Sequence, residues 1–169
     1  FGKLEEVFDK LHGKEISYNN LLDIDAALAL TGEFSNPAFI ITKHTNACGV
    51  AERDNIFDAW KDALACDPVS AYGGVLACNR PTDEKTTAEI DKLFFEIIIS
   101  PGYEPAALEI LKRKKNRIIL LQKKFSFPPD VFRSVINGVL WQERDNVTED
   151  SACMKPVTER VPDSREYDD

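Results

Sequence analysis

Four short, uninterrupted apolar runs limit what this chain can fold into. They are Ala38-Phe39-Ile40-Ile41, Val75-Leu76-Ala77-Cys78, Ile97-Ile98-Ile99 and the stretch from Arg117 to Leu121. None shows the in-out alternation of a half-solvated strand. A strand that is apolar on both sides must be covered on both, as in the largely parallel sheets of α/β proteins. Segments with helical spacing separate the runs. Leu21, Leu22, Ile24, Ala27, Leu28 and Leu30 predict a helix that follows the polar turn Ser17-Tyr18-Asn19-Asn20 and ends at Gly32. Ile56, Phe57, Trp60, Ala63 and Leu64 predict another, capped by Asp54-Asn55 and stopped before Asp67-Pro68. Pro81-Thr82-Asp83-Glu84 and Glu104-Pro105 open two more. The expected class is α/β, with a mostly parallel sheet and helices on both faces.

The remaining stretches read less simply. Leu4, Val7, Phe8 and Leu11 fall at helical spacing and predict a short lead-in helix, broken at His12-Gly13-Lys14. The residues after Lys43-His44 read as a polar loop. Phe94-Phe95-Glu96 ends the third helix or starts the next strand. Val131 to Glu143 reads as extended, with Asn137-Gly138 as a hairpin turn or a bulge. The tail from Glu159 to Asp169 is polar and acidic, and Pro162-Asp163-Ser164 has the form of a helix start.

The 169 residues suffice for one domain with a real core, and 43% hydrophobic with 30% charged residues is ordinary for a globular protein. A net charge of -8 argues against a nucleic-acid partner. The apolar runs are far too short to span a bilayer, so no membrane role is expected. Cys48, Cys66, Cys78 and Cys153 form no C-x-x-C pair and are expected to be reduced, buried thiols of a cytoplasmic protein. The chain opens without Met or a signal segment and is read as a piece cut from something longer.

The candidate chemistry begins at Lys43-His44, where a buried strand runs out. In open α/β sheets, ligands bind in the crevice at carboxyl strand ends. Adjacent strand side chains point to opposite faces, so the two converge on one ligand only if the chain leaves strand geometry there. An ammonium beside an imidazole disfavours its charged form, leaving His44 usable as a base. Lys43 would steady developing negative charge. The alternative is a lysine stretched from a strand end beside a hydrogen-bonded histidine. His44-x-x-x-Cys48 invites a zinc reading, but Asn46 stands where a deaminase-type site needs Glu, and no second Cys follows. In Asp67-Pro68-Val69-Ser70-Ala71-Tyr72-Gly73-Gly74, the glycines allow close backbone approach and Tyr72 offers a ring for stacking, or the stretch is a tight turn with a packed aromatic. Glu96 would accept from ribose hydroxyls, or serves as a cap or solvated edge residue. The basic run Lys112-Arg113-Lys114-Lys115-Asn116-Arg117 reads as a solvated helix end.

The ordered set of segments goes further. His12 to Asn20, Asp23-Ile24-Asp25-Ala26-Ala27, Lys43 to Ala51, Asp67 to Gly74, Glu96 to Pro101 and Asn137 to Asp145 together closely resemble the transformylase region of the bifunctional AICAR transformylase/IMP cyclohydrolase family. The resemblance runs from about Phe1 to the tail. It implies a three-layer αβα, cytidine-deaminase-like fold, with residues 1–158 as the first of two such subdomains and 159–169 as the start of a truncated helix. It implies formyl transfer from 10-formyltetrahydrofolate, a cosubstrate, to the 5-amino group of AICAR, with no bound metal or redox cofactor, in a homodimer. It implies that His44 takes the amine proton while Lys43 contacts AICAR and assists by electrostatics. Tyr72, Gly73 and Glu96 would line the nucleotide pocket, and Val69 and Ser70 would approach the folate. Tyr72 stands where Phe is usual, and Ala47 where Pro is common. The family's Arg-Tyr-Gly-x-Asn-Pro-His-Gln and Lys-Ser-Asn segments, the latter with its catalytic asparagine, are not among these residues, so the isolated chain is expected to be inactive. The alternative is a non-catalytic assembly domain on the same scaffold.

Overall fold

The computed structural model describes residues 2–146 and 153–168; Phe1 and Asp169, the ends of the expected subdomain and tail, lie outside the described residues, as do residues 147–152. The chain divides into two compact units, 1–126 and 127–169.

The first unit is a six-stranded sheet with helices on both faces. Its elements, in chain order, are β1 (Phe8–His12), α1 (Tyr18–Thr31), β2 (Ala38–Lys43), β3 (Asn46–Glu52), α2 (Ile56–Cys66), β4 (Val75–Cys78), α3 (Glu84–Ile90), β5 (Ile97–Ser100), α4 (Pro105–Lys112) and β6 (Ile118–Gln122). The spatial order is β1-β6-β5-β4-β2-β3. β4, β5 and β6 pair in parallel, while β2 is antiparallel to both β4 and β3, and β1 to β6. Four strands thus share one direction, with β1 and β2 reversed. The arrangement is the three-layer αβα class.

The apolar runs became β2, β4, β5 and β6, the four strands with a neighbour on each side. β4 and β5 are buried at every position. One sheet face carries Phe39, Ile41, Leu76, Cys78, Ile98 and Ile119 against Trp60 and Ala63 of α2, Ile90 of α3 and Leu111 of α4. Phe39 and Trp60 meet edge to face at 5.0 Å. The opposite face meets α1, which buries Ile24, Ala27 and Leu28. Helix starts follow their caps. Ser17 accepts from the Asn20 amide while its own amide donates to Asn20 Oδ1, a reciprocal box. Asn55 and Asp83 cap α2 and α3 in the same sense.

Four expectations need correcting. The lead-in helix is only the 3-10 turn Leu4–Glu6; Phe8 to His12 is edge strand β1, drawn into pairing by β6. The polar loop after Lys43-His44 is a two-residue turn, and Asn46 to Glu52 returns as β3. Burial of the thiols holds for Cys78 alone: Cys48 is half-buried, and Cys66 and Cys153 are exposed. Phe94-Phe95-Glu96 joins neither helix nor strand.

The second unit holds a hairpin of β7 (Asp130–Val135) and β8 (Gly138–Glu143), turned at Ile136-Asn137. The Trp141 indole donates to Asp130 at 2.8 Å. A short helix, α5 (Ser164–Asp168), begins where Pro162-Asp163-Ser164 predicts, with Asp163 and Glu166 exchanging backbone-to-carboxylate bonds at 3.0 Å.

Candidate functional site

Strand register gathers the candidate residues along one edge of the sheet. Thr42 lies opposite Val75, Val75 beside Ile97, and Ile97 beside Ile118. The residues just past those ends are Lys43-His44, Gly73-Gly74, Glu96 and Arg117. Lys14 follows β1 on the same edge. Lys43 does stand at the carboxyl end of its strand. Because β2 is reversed, however, this edge is the amino end of β4, β5 and β6. The crevice rule for parallel sheets names the other edge for these three strands.

At the centre is a hairpin turn. Lys43 and Asn46 face each other across the loop His44-Thr45, with φ of 52° and 62°. Positive φ at both loop positions is the mark of a type I′ turn, which normally carries Asn and Gly. Imidazole and β-branched side chains there cost about 1–3 kcal/mol each. Three bonds surround the turn. The Thr45 amide donates to Asp23 Oδ1 at 2.7 Å, the Thr45 hydroxyl to the His44 carbonyl at 2.6 Å, and the Asn46 side-chain amide to the same carbonyl at 2.8 Å. His44 is exposed, and its imidazole has no hydrogen-bond partner among the described residues. Lys43 does not extend freely into solvent: its ammonium donates to the Tyr72 carbonyl at 2.9 Å.

That bond ties the turn to the loop before β4. Tyr72 exposes 59% of its surface and tilts its ring against Phe94, centroids 5.1 Å apart. Gly73 has φ of 77°, a left-handed conformation suited to glycine, and its amide donates to the Phe94 carbonyl at 2.8 Å. The Glu96 amide donates to Gly74 at 3.0 Å. The Glu96 carboxylate, partly exposed, meets the Lys14 ammonium at 3.1 Å. Val69 is exposed and Ser70 half-buried, on a turn where both amides donate to Asp67 Oδ1 at 3.1 and 2.9 Å. The Ser70 amide and hydroxyl, then the Val69 amide, hold the Asp67 carboxyl below its ordinary range. Structure therefore brings Lys43, Tyr72, Gly73 and Glu96 into one bonded chain, beside the turn bearing Val69 and Ser70.

A cavity of about 600 Å³ opens next to Glu96, with Lys14, Phe94, Lys114 and Arg117 among its lining. Arg117 departs from the expectation of a solvated basic run. It is 4% exposed, donates to Asp91 at 2.7 Å and to the Leu111 carbonyl at 3.2 Å, and lies 4.1 Å from the Phe95 ring. It fastens the end of α4 to the end of α3. Burial is the main cause that raises the Cys48 thiol above its usual range, with Asp67 adding to it and Lys43 opposing. Cys48 packs partly against the core, on the strand after the turn.

Asp23 and Lys14 are the partners that residue-by-residue reading did not single out. Both lie in segments quoted for the family resemblance, but nothing local marks a carboxylate mid-helix as a turn clamp.

Comparison with known proteins agrees with this set of segments. The family model for the AICARFT/IMPCHase bienzyme matches residues 2–169. Proteins called bifunctional purine biosynthesis protein PurH are similar along nearly the whole chain: 52% identity over 169 residues in Bacteroides thetaiotaomicron, 47% over 168 in Chlorobium phaeobacteroides and 46% over 162 in a Thermoanaerobacter species. These alignments cover 100%, 98% and 95% of this chain, but 33%, 32% and 32% of those relatives. The chain spans about a third of the length of the curated relatives it matches. With the model matched across both units, the chain belongs to the AICARFT/IMPCHase bienzyme family.

Proposed function

We propose that this chain supplies part of an AICAR formyltransferase site acting in purine biosynthesis, with 10-formyltetrahydrofolate as cosubstrate. The observation that carries the reading is the Lys43-His44 turn. It exposes the His44 imidazole on the residue next to Lys43, whose ammonium is anchored 2.9 Å from the Tyr72 carbonyl, at the loop expected to line the nucleotide pocket. The amine of AICAR is conjugated with its imidazole and carboxamide, and is a poor nucleophile. On this reading the amine nitrogen attacks the formyl carbon and His44 takes its proton. Lys43 steadies the oxyanion. Collapse breaks the bond between the formyl carbon and N10 of the folate, and the proton that His44 took passes to N10. Tyr72, Gly73 and Glu96 line the nucleotide side, and Val69 and Ser70 the folate side. Residues 1–158 are assigned to the first subdomain and 159–169 to the start of a following helix, in a cytoplasmic homodimer that needs no resident metal.

The test is a calorimetric titration of the folded chain with AICAR. Lys43→Ala is expected to weaken binding about tenfold or more, the value of one charge-assisted hydrogen bond. His44→Ala should change affinity less, because a base acts chiefly in the transition state. The 169 residues by themselves should show little formyl transfer; robust turnover would overturn that part of the reading. Absence of AICAR binding by the folded wild type would sink the assignment of the pocket. A second reading, a non-catalytic assembly module, draws on β8, exposed at every position with Val139, Leu140 and Trp141 in the open.

A further inference from the structure

We infer that Asp23 is a positioning residue whose carboxylate holds the His44-Thr45 turn in the shape that presents the imidazole. The inference rests on the reading of Lys43-His44 as reacting groups, and goes beyond it by naming what sets their geometry.

The turn is strained by its own residues. Neither His44 nor Thr45 is glycine, yet both have positive φ. The Thr45 hydroxyl and the Asn46 amide both bond the His44 carbonyl, so they act from within the hairpin. Asp23 acts from outside it. Its oxygen lies 2.7 Å from the Thr45 amide, on a helix separated from the turn by 22 residues of chain. A carboxylate accepting a backbone N–H is roughly twice as strong a bond as a neutral pair. It is aimed at the loop residue for which positive φ is least natural.

The usual explanation for an acidic residue near a helix start does not apply. Ser17 is the cap of α1, so Asp23 lies beyond the first turn, where the helix dipole has little hold on it. Asp25 gives the contrast on the same helix: it is exposed and has no hydrogen-bond or ion-pair partner among the described residues. α1 itself is fixed by the Ser17-Asn20 box and by Ile24, Ala27 and Leu28 against the sheet. The carboxylate is therefore mounted on a rigid element, and the turn is held from a body that does not move with it. Loss of that bond frees the turn toward unstrained φ values, which changes the direction in which His44 is presented while Lys43 stays anchored on Tyr72.

The test compares Asp23→Ala, Asp23→Asn and the control Asp25→Ala by NMR on the 169-residue chain, with an AICAR titration of each. The Thr45 amide proton should resonate far downfield and exchange slowly in the wild type and in Asp25→Ala. Asp23→Ala should abolish both signatures and shift the His44 ring resonances, with the Lys43 amide and the core methyl signals unmoved, and should weaken AICAR binding no more than His44→Ala does. Asp23→Asn, which keeps an acceptor, should restore the slow exchange of the Thr45 amide and the wild-type His44 ring resonances. Unchanged Thr45 and His44 signals in Asp23→Ala would overturn the inference, as would failure of Asn to rescue. A purely structural role would lower the melting temperature without the His44 shift, and that result also counts against positioning. If the wild type binds no AICAR, the functional reading fails, while the Thr45 and His44 signals still decide whether Asp23 sets the turn.

Discussion

Gly49→Ala is expected to destabilise the first unit by about 3 kcal/mol, lowering its melting temperature by roughly 10 °C. A Cβ at position 49 would lie 1.9 Å from the Ala63 carbonyl oxygen and 2.9 Å from its carbon. Both are backbone atoms of α2, so no side-chain rotation relieves the clash. The strand must lift away from the helix, taking part of the packing around Ala59, Trp60 and Ala63 with it. Gly73→Ala is the instructive comparison. There a Cβ finds ordinary contact, 3.7 Å from the Phe94 ring, but the backbone has φ of 77°. The cost is conformational alone, about 1–2 kcal/mol. Urea denaturation of both variants checks the pair. Equal midpoints would mean that β3 and α2 part at position 49 without cost. Gly49→Ala should also disturb the site, since β3 begins at the turn that presents His44.

Arg117→Ala is expected to cost about 3 kcal/mol, the lower end for breaking a buried ion pair, because Asp91 keeps some contact with water. The Arg117 side chain is 3% exposed and that of Asp91 23%. Removing the guanidinium leaves the Asp91 carboxylate and the Leu111 carbonyl without their donor, and takes a cation from the Phe95 ring. The double change Arg117→Met with Asp91→Asn should recover much of the loss, since the buried charge goes with its partner. Chemical denaturation of the single and double variants measures the difference. A single variant as stable as the wild type would show that the pair contributes nothing net.

The interior strands were legible in the sequence because each is buried on two faces, and burial writes itself as an unbroken apolar run. β2, β4, β5 and β6 follow from that alone. Edge strands escape the rule. β1 has only β6 beside it and mixes Phe8 with Asp9 and Lys10, so Leu4, Val7, Phe8 and Leu11 pass for a helix. β3 has only β2, and its first residues are exposed. The hairpin joining them lacks the Asn-Gly signal, because His44-Thr45 occupies the loop positions instead. Helix starts were legible because capping is local: Ser17, Asn55 and Asp83 act on residues three positions away. The site was legible only in pieces. Lys43-His44 stands out at a strand end, but its supports come from far along the chain. Asp23 is 22 residues from Thr45, Tyr72 is 29 from Lys43, and Lys14 is 82 from Glu96. Register, not spacing, brings them to one edge.

The reversal of β2 has an electrostatic consequence. Because the candidate site lies at the amino ends of β4, β5 and β6, the helices leading into those strands finish there. α2, α3 and α4 all bring their carbonyl ends to this edge, and only α1 starts from it. Folds that bind phosphate on helix amino ends draw on the backbone for positive potential. Here three of the four helix ends contribute the opposite sign within their last turns. An anionic ligand at this edge must therefore be attracted by side-chain cations such as Lys14, Lys43 and the exposed members of the Arg113–Lys115 run. Attraction that comes from solvent-exposed side-chain charges is screened by salt and weakens with ionic strength. Salt would then serve as a control on occupancy at this edge.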